Sequence, residues 1–200
     1  MLSRIDIPAD IRLVVLDLDG TIYRKPRMAF YMILKQWRHM PSLIAERRWR
    51  KTQRRALQQH TPQPIMPVSQ QWYNASYLPS MVQIIAEHYH PEPWLQPLLD
   101  ECRTRSIKVI ILSDYEAVTD KLRALHLNPA AFDATLATGD FGTIKPDPRL
   151  SAVIAPYITD PAAPKTEQAA ILWQHVLFIG DRPDTDGALA QSLGAQFILV

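Results

Sequence analysis

Leu13-Val14-Val15-Leu16-Asp17-Leu18-Asp19-Gly20-Thr21 joins an apolar run to a pair of aspartates. Four apolar residues in a row read as a strand buried on both faces, the pattern of a parallel sheet. The run passes directly into two aspartates and a glycine. Carboxylates are thereby placed at the C-terminal edge of a strand, where open α/β sheets hold their ligands. Alternation sends Asp17 and Asp19 to one side and Leu18 to the other. Gly20 permits a turn that a side chain would obstruct. Two acids this close repel each other unless a cation lies between them or one keeps its proton, and both arrangements suit chemistry on phosphate.

Three later stretches bear on this reading, two of them with the same build. Val109-Ile110-Ile111-Leu112 ends in Ser113-Asp114, and Val176-Leu177-Phe178-Ile179 ends in Gly180-Asp181-Arg182-Pro183-Asp184-Thr185-Asp186-Gly187. Between them, Thr143-Ile144-Lys145-Pro146-Asp147-Pro148 sets a lysine just before a proline-rich helix start. Strands are expected near 12–17, 107–112, 134–138, 175–180 and 196–200. Helices are expected near 115–125, 147–157 and 184–193, the last ended by Gly194. Such alternation implies right-handed crossovers and a doubly wound parallel sheet, an α/β fold covered on both faces.

Residues 24 to about 90 break the alternation. A helical pattern beginning at Met28, Tyr31, Met32, Leu34 and Lys35 is interrupted by Pro41. A second helix is expected from Ser42, a good N-cap, to about Gln59. Thr61–Pro67 is a loop because its prolines cannot join a helix. Helical patterns return at Ser69–Leu78, Pro79–Tyr89 and Trp94–Arg105. The segment is also set apart by charge: residues 24–86 hold eleven Lys or Arg against one acid, Glu46, a net +10 in a chain whose total is +2.

Two hundred residues can form one domain with an insertion, and 47% apolar content marks a globular chain. The N-terminus has no apolar signal core, and no stretch reaches membrane-spanning length. Cys102 is the single cysteine, which leaves no intrachain disulfide or thiolate metal cluster, and it reads as a packing residue. A cytoplasmic enzyme is the default expectation. The six histidines form no ligand pattern, and nothing sets an oligomeric state.

Strand-end acids, a strand-end hydroxyl, a lysine and a second acid cluster, in this order, resemble the four motifs of the haloacid dehalogenase superfamily in its phosphatase branch. The resemblance implies a Rossmann-like core formed by residues 1–23 and 100–200, with an inserted all-α cap over 24–99. It makes Asp17 the nucleophile that becomes an aspartyl phosphate. Asp19 becomes the general acid for the leaving alkoxide and then the base for water, and its place beside Asp17 is expected to keep it protonated until substrate arrives. Ser113 would donate to a phosphoryl oxygen. As a plain structural residue it would instead cap the helix that follows. Lys145 would neutralise Asp17 and the transferring group.

Asp181 would complete a Mg²⁺ site with the Asp17 carboxylate and the Asp19 backbone carbonyl, an oxygen-rich set of the kind magnesium prefers. Asp186 would hold a metal-bound water or Lys145. Asp184 would take part or cap the following helix. Asp114 departs from the family pattern, putting a negative charge near a phosphate site; its backbone N–H would still serve substrate binding, but its side chain must turn away or pair with a cation. Relatives that expel halide need no proton and lack an acid at the position of Asp19. The implied activity is a Mg²⁺-dependent phosphatase acting on a small-molecule phosphomonoester. A phosphomutase would use the same residues.

A helix over 43–57 would put Ala45, Trp49, Thr52 and Ala56 on one narrow face, opposite Arg47, Arg48, Arg50, Lys51, Arg54 and Arg55. Those cations read as a solvated face, as a steering field for an anionic substrate, or as a docking surface for nucleic acid or an anionic membrane. No nucleic-acid-binding motif accompanies them.

Overall fold

A computed structural model describes residues 4–58, 68–158 and 173–200. The expected Thr61–Pro67 loop lies outside them. Among the described residues, five strands form one sheet: β1 (Leu13–Leu16), β2 (Lys108–Ser113), β3 (Ala134–Ala137), β4 (Val176–Gly180) and β5 (Gln196–Leu199). Their order is β3-β2-β1-β4-β5, and every pairing is parallel. Val15 of the central strand lies opposite Ile110 on one side and Phe178 on the other.

Alternate residues of the strands feed two apolar layers. Val14, Leu16, Val109, Ile111, Leu177 and Ile179 face one layer, which is continuous with the inserted helices. Leu13, Val15, Ile110, Leu112, Val176 and Phe178 face the other, where Leu150, Ile154, Leu189 and Ala190 cover them. The sheet is therefore wound on both faces. That explains why its strands read as unbroken apolar runs.

Between β1 and β2 the chain is helical. Helix α1 (Met28–Gln36) is followed by a 3₁₀ turn at Trp37–His39 and by α2 (Met40–Gln58). Next come a short α3 (Gln70–Trp72), a π turn at Tyr73–Tyr77, α4 (Leu78–His88) and α5 (Leu95–Thr104). Helix α2 begins two residues before Ser42, so Ser42 is not its N-cap. Pro41 sits in the first turn, where the missing N–H is not needed for an intrahelical bond. Ser69 does cap α3, accepting from the Trp72 amide.

The apolar core runs without a break from β1 and β2 into Tyr73, Tyr77, Met81, Ile84 and Ile85. Residue 99 lies in the middle of α5, whose Leu98 and Leu99 are buried in this layer. Helices α6 (Val118–Ala124), α7 (Ser151–Ile158) and α8 (Ala188–Leu193) complete the frame, and Gly194 ends α8 at φ 73°. Cys102 is buried in α5, and burial pushes its thiol up to about 11, which suits packing and not attack. No helix among the described residues is long and apolar enough to cross a membrane.

Candidate active site

The parallel register brings the C-terminal ends of β1, β2 and β4 side by side, and the charged residues of the sequence motifs meet there. The Asp17 amide donates to Ile179 O at 3.0 Å, tying the first motif to β4. Lys145 is almost fully buried, and its Nζ donates to Asp17 Oδ1 and Asp186 Oδ1, both at 2.6 Å, and to Leu112 O at 2.9 Å. Thr21 Oγ1 holds the other Asp17 oxygen at 2.8 Å. Burial disfavours the charged lysine, but Asp17 and Asp186 outweigh it and hold the ammonium well above its usual range.

Two glycines keep the junction open. At Gly20 (φ 110°) a Cβ would lie 2.2 Å from Asp181 Oδ2, and at Gly180 it would lie 2.5 Å from Asp186 Cγ. Either side chain would displace an acid of the site.

Asp17, Asp181 and Asp186 can bring one carboxylate oxygen each within 4.8 Å of one another. Burial pushes Asp186 up to about 6 against the opposing charge of Lys145, and it raises Asp181 against that of Lys25. Three carboxylates thus gather around one buried ammonium, that of Lys145, which bonds two of them. Closely set, hard oxygen donors short of positive charge fit a divalent ion of the magnesium type. A cation already borders this place: Lys25 Nζ donates to the Asp19 carbonyl and lies 3.9 Å from Asp181 Oδ2.

Asp19 differs from its expected state. Its carboxylate is buried and accepts from Lys121 Nζ at 2.8 and 3.1 Å, Ser113 Oγ at 3.0 Å and Tyr23 OH at 2.5 Å. Burial alone would raise it, but the charges of Lys121 and Lys25 and the hydrogen bonds bring it down to about 2. Without substrate, Asp19 is a carboxylate and not the protonated acid expected from its closeness to Asp17. A cation paired with it from α6 reverses the local balance.

Ser113 is fully buried. It bonds Asp19 and the backbone of Tyr115 and is not among the residues lining the cleft. It does not cap α6, which starts at Val118 after Ala117. Asp114 does meet a cation: Oδ2 pairs with Arg54 at 3.6 Å, while Oδ1 accepts from the Lys145 backbone amide at 2.9 Å. Asp184 neither caps a helix nor joins the acid cluster. It pairs with Arg182 at the surface.

The inward face of α2 is not the one that its periodicity suggested. Glu46, Arg50, Gln53 and Ala56 are buried there, at helical spacing. Arg50 bonds Glu46, the Asp114 carbonyl at 2.8 Å and Tyr73 OH at 2.7 Å, and its guanidinium lies 3.9 Å from the centre of the Tyr115 ring. Part of the basic arc is therefore structural, stacked and hydrogen-bonded against the sheet end. A cleft of about 300 Å³ remains, lined by Asp17, Asp19, Lys145, Asp181 and Asp186 below and by Lys25, Arg47, Arg50 and Arg54 above.

Sequence reasoning missed Lys121 and Tyr23, and it named Arg50 only as one cation of the basic arc and not as a buried one. A signal for Lys121 was present: with Val118, Leu122 and Leu125 it occupies the apolar stripe of a helix, where a lysine needs a buried partner.

Residues 145–200 match a family model described as "HAD-hyrolase-like". No curated protein matches the chain by sequence. Among solved structures, CbbY from Rhodobacter sphaeroides in complex with phosphate superposes with a TM-score of 0.65 at 16% identity, over 94% of this chain and 85% of that one. A predicted phosphoglycolate phosphatase from Haemophilus somnus 129PT gives 0.65 at 15%, over 96% and 85%. A 2-haloacid dehalogenase from Pseudomonas syringae pv. Tomato DC3000 gives 0.57 at 19%, over 94% and 86%. The chain has the fold of the haloacid dehalogenase superfamily and, over its last 56 residues, that family's sequence pattern.

Proposed function

We propose that the protein is a phosphatase of small-molecule phosphomonoesters, dependent on Mg²⁺ and working through an aspartyl phosphate on Asp17. One observation carries the reading: Asp17 stands at the end of the central strand with Lys145 bonded to it, in a cleft it shares with Asp19, Asp181 and Asp186. A solvated loop lysine would not be buried between two carboxylates. Helices α1 to α4 act as the cap over this cleft.

The Asp17 carboxylate attacks phosphorus as the bond to the ester oxygen breaks, and Asp19 gives the leaving alkoxide its proton. Asp19 then takes a proton from the water that attacks the aspartyl phosphate, and breaking the Asp17–phosphorus bond releases phosphate. Because Asp19 starts as a carboxylate, it takes up its proton only with substrate bound, when a phosphoryl dianion nearby favours the neutral form. This role for Asp19 also separates the chain from relatives that expel halide. Lys145 holds Asp17 in place and offsets charge gathering on the phosphoryl oxygens. Asp17, Asp181 and the Asp19 carbonyl would hold Mg²⁺, with Asp186 beside them, and the ion would supply charge neutralisation to the bound phosphoryl group.

Asp17→Asn should abolish turnover of aryl and alkyl phosphates while leaving the thermal transition in place. Beryllofluoride should protect the wild-type protein and not this variant. Substantial turnover by folded Asp17→Asn would refute the reading.

A further inference from the structure

Beside the charged cleft lies a second cavity of about 340 Å³ enclosed by α1, α2 and α4. Its wall is apolar and rich in methionine, with Met28, Met32, Met40, Leu43 and Met81 among its lining residues. Met32 and Met81 are buried, and Ile33 and Ile44 at the mouth are each 43% exposed. The two cavities meet: Asp19, Lys25, Arg47 and Tyr115 line both. Asp19 thus stands at the junction, with phosphate chemistry on one side and an apolar wall on the other.

Resting on the phosphatase reading, we infer that this cavity receives the alcohol part of the substrate, and that this part is an extended apolar group such as an alkyl or isoprenoid chain. The leaving oxygen must lie within reach of Asp19, because Asp19 protonates it. What is attached to that oxygen starts at the junction. An alcohol bearing a second anionic group would find Arg50 and Arg54 already engaged by Glu46, Asp114 and the Asp114 carbonyl, which leaves Lys25 and Arg47 at the junction and no other cation among the described residues lining this cavity. An apolar chain needs no cation, and flexible methionine side chains repack around it with little strain. The reaction then cuts the phosphorus–oxygen bond at the head of a lipid-like phosphate, releasing the alcohol and inorganic phosphate.

Binding of ethyl-, butyl-, hexyl- and octylphosphonate to the wild-type protein with Mg²⁺, read by calorimetry, tests this independently of turnover. Each added methylene should tighten binding about three- to fourfold until the cavity is full, and inorganic phosphate should displace every member. Ala29→Phe fills the cavity from an exposed position on α1 and should erase the gain with chain length without altering ethylphosphonate binding. Equal affinities across the series, or a full slope in Ala29→Phe, would overturn the inference. So would long-chain binding that phosphate cannot displace, since that chain would lie on the exposed Phe30, Leu34 and Trp37 instead. The phosphatase reading fails separately, if the matching alkyl phosphates bind with the expected slope but no Asp17-dependent hydrolysis follows.

Discussion

Replacing Lys121 with methionine keeps the length of the side chain and removes the ammonium that faces Asp19. Lys121 is fully buried, and Asp19 is 6% exposed. Burial pushes the lysine down by more than Asp19 raises it, so the pair gains little over an apolar pair of the same shape. Breaking it is a different matter. The drop of Asp19 from 3.8 to about 2 corresponds to about 2 kcal/mol in favour of its charged form. Stranding a buried carboxylate costs about 3–5 kcal/mol, or roughly 6–20 °C in Tm for a chain of this length.

The sign of the pH dependence follows from the same contacts. In the wild type, Asp19 is depressed, so its stabilising contribution is present above the unfolded value and is lost only as pH falls towards about 2. In Lys121→Met, burial remains without its main compensating charge, and the folded value rises above the unfolded one. The deficit should then be smallest near pH 2, grow as wild-type Asp19 ionises while the variant's does not, and level off above the variant's raised folded value. Urea unfolding followed by tryptophan fluorescence at several pH values reads this directly. Adding Asp19→Asn to Lys121→Met should recover most of the loss, because the neutral amide can still accept from Tyr23 through its oxygen and donate to Ser113 Oγ through its NH2. A variant within about 1 kcal/mol of wild type at every pH would refute the argument.

Asp19→Asn alone should lose about 10²–10⁴-fold in kcat with alkyl phosphates and markedly less with aryl phosphates, whose leaving group needs no proton. Lys25→Met should tighten Mg²⁺ binding, measured by calorimetry, because its ammonium borders the Asp19 carbonyl and Asp181; Asp181→Asn should weaken it. Arg47 is exposed at the cleft, so Arg47→Gln should lower kcat/KM at low salt, with the defect fading once the screening length falls to about 8 Å.

The sheet was legible in the sequence because a strand buried on both faces allows few substitutions other than apolar ones. The runs at 13–16, 109–112 and 176–179 stand out against every neighbouring segment, and the expected strand ends fall within one residue of those observed. The acid cluster was legible for a related reason. Carboxylates directly after such a run are carried to the sheet edge whatever surrounds them, and parallel register brings Asp17 and Asp181 together. Lys145 needed only to reach that edge from the loop after β3.

What periodicity alone could not supply was which charges would be buried. Helix α2 has no strong apolar stripe, so its inward face is chosen by partners contributed from elsewhere in the chain: Tyr73, Asp114, Tyr115 and Glu116. Counting by hydrophobicity put Trp49 and Ala45 inside. The structure instead buries Glu46, Arg50 and Gln53, and Arg48 stays on the exposed side. The same limit applies to Asp19. Two neighbouring acids predict a raised carboxyl group only while no cation arrives, and Lys121 arrives from a residue 102 positions away. The net +10 of the inserted segment is therefore partly an internal counter-charge to the acids at the sheet edge. Helix α2 is held over the cleft by Arg50, while the exposed Arg47 is left to act on an approaching anion.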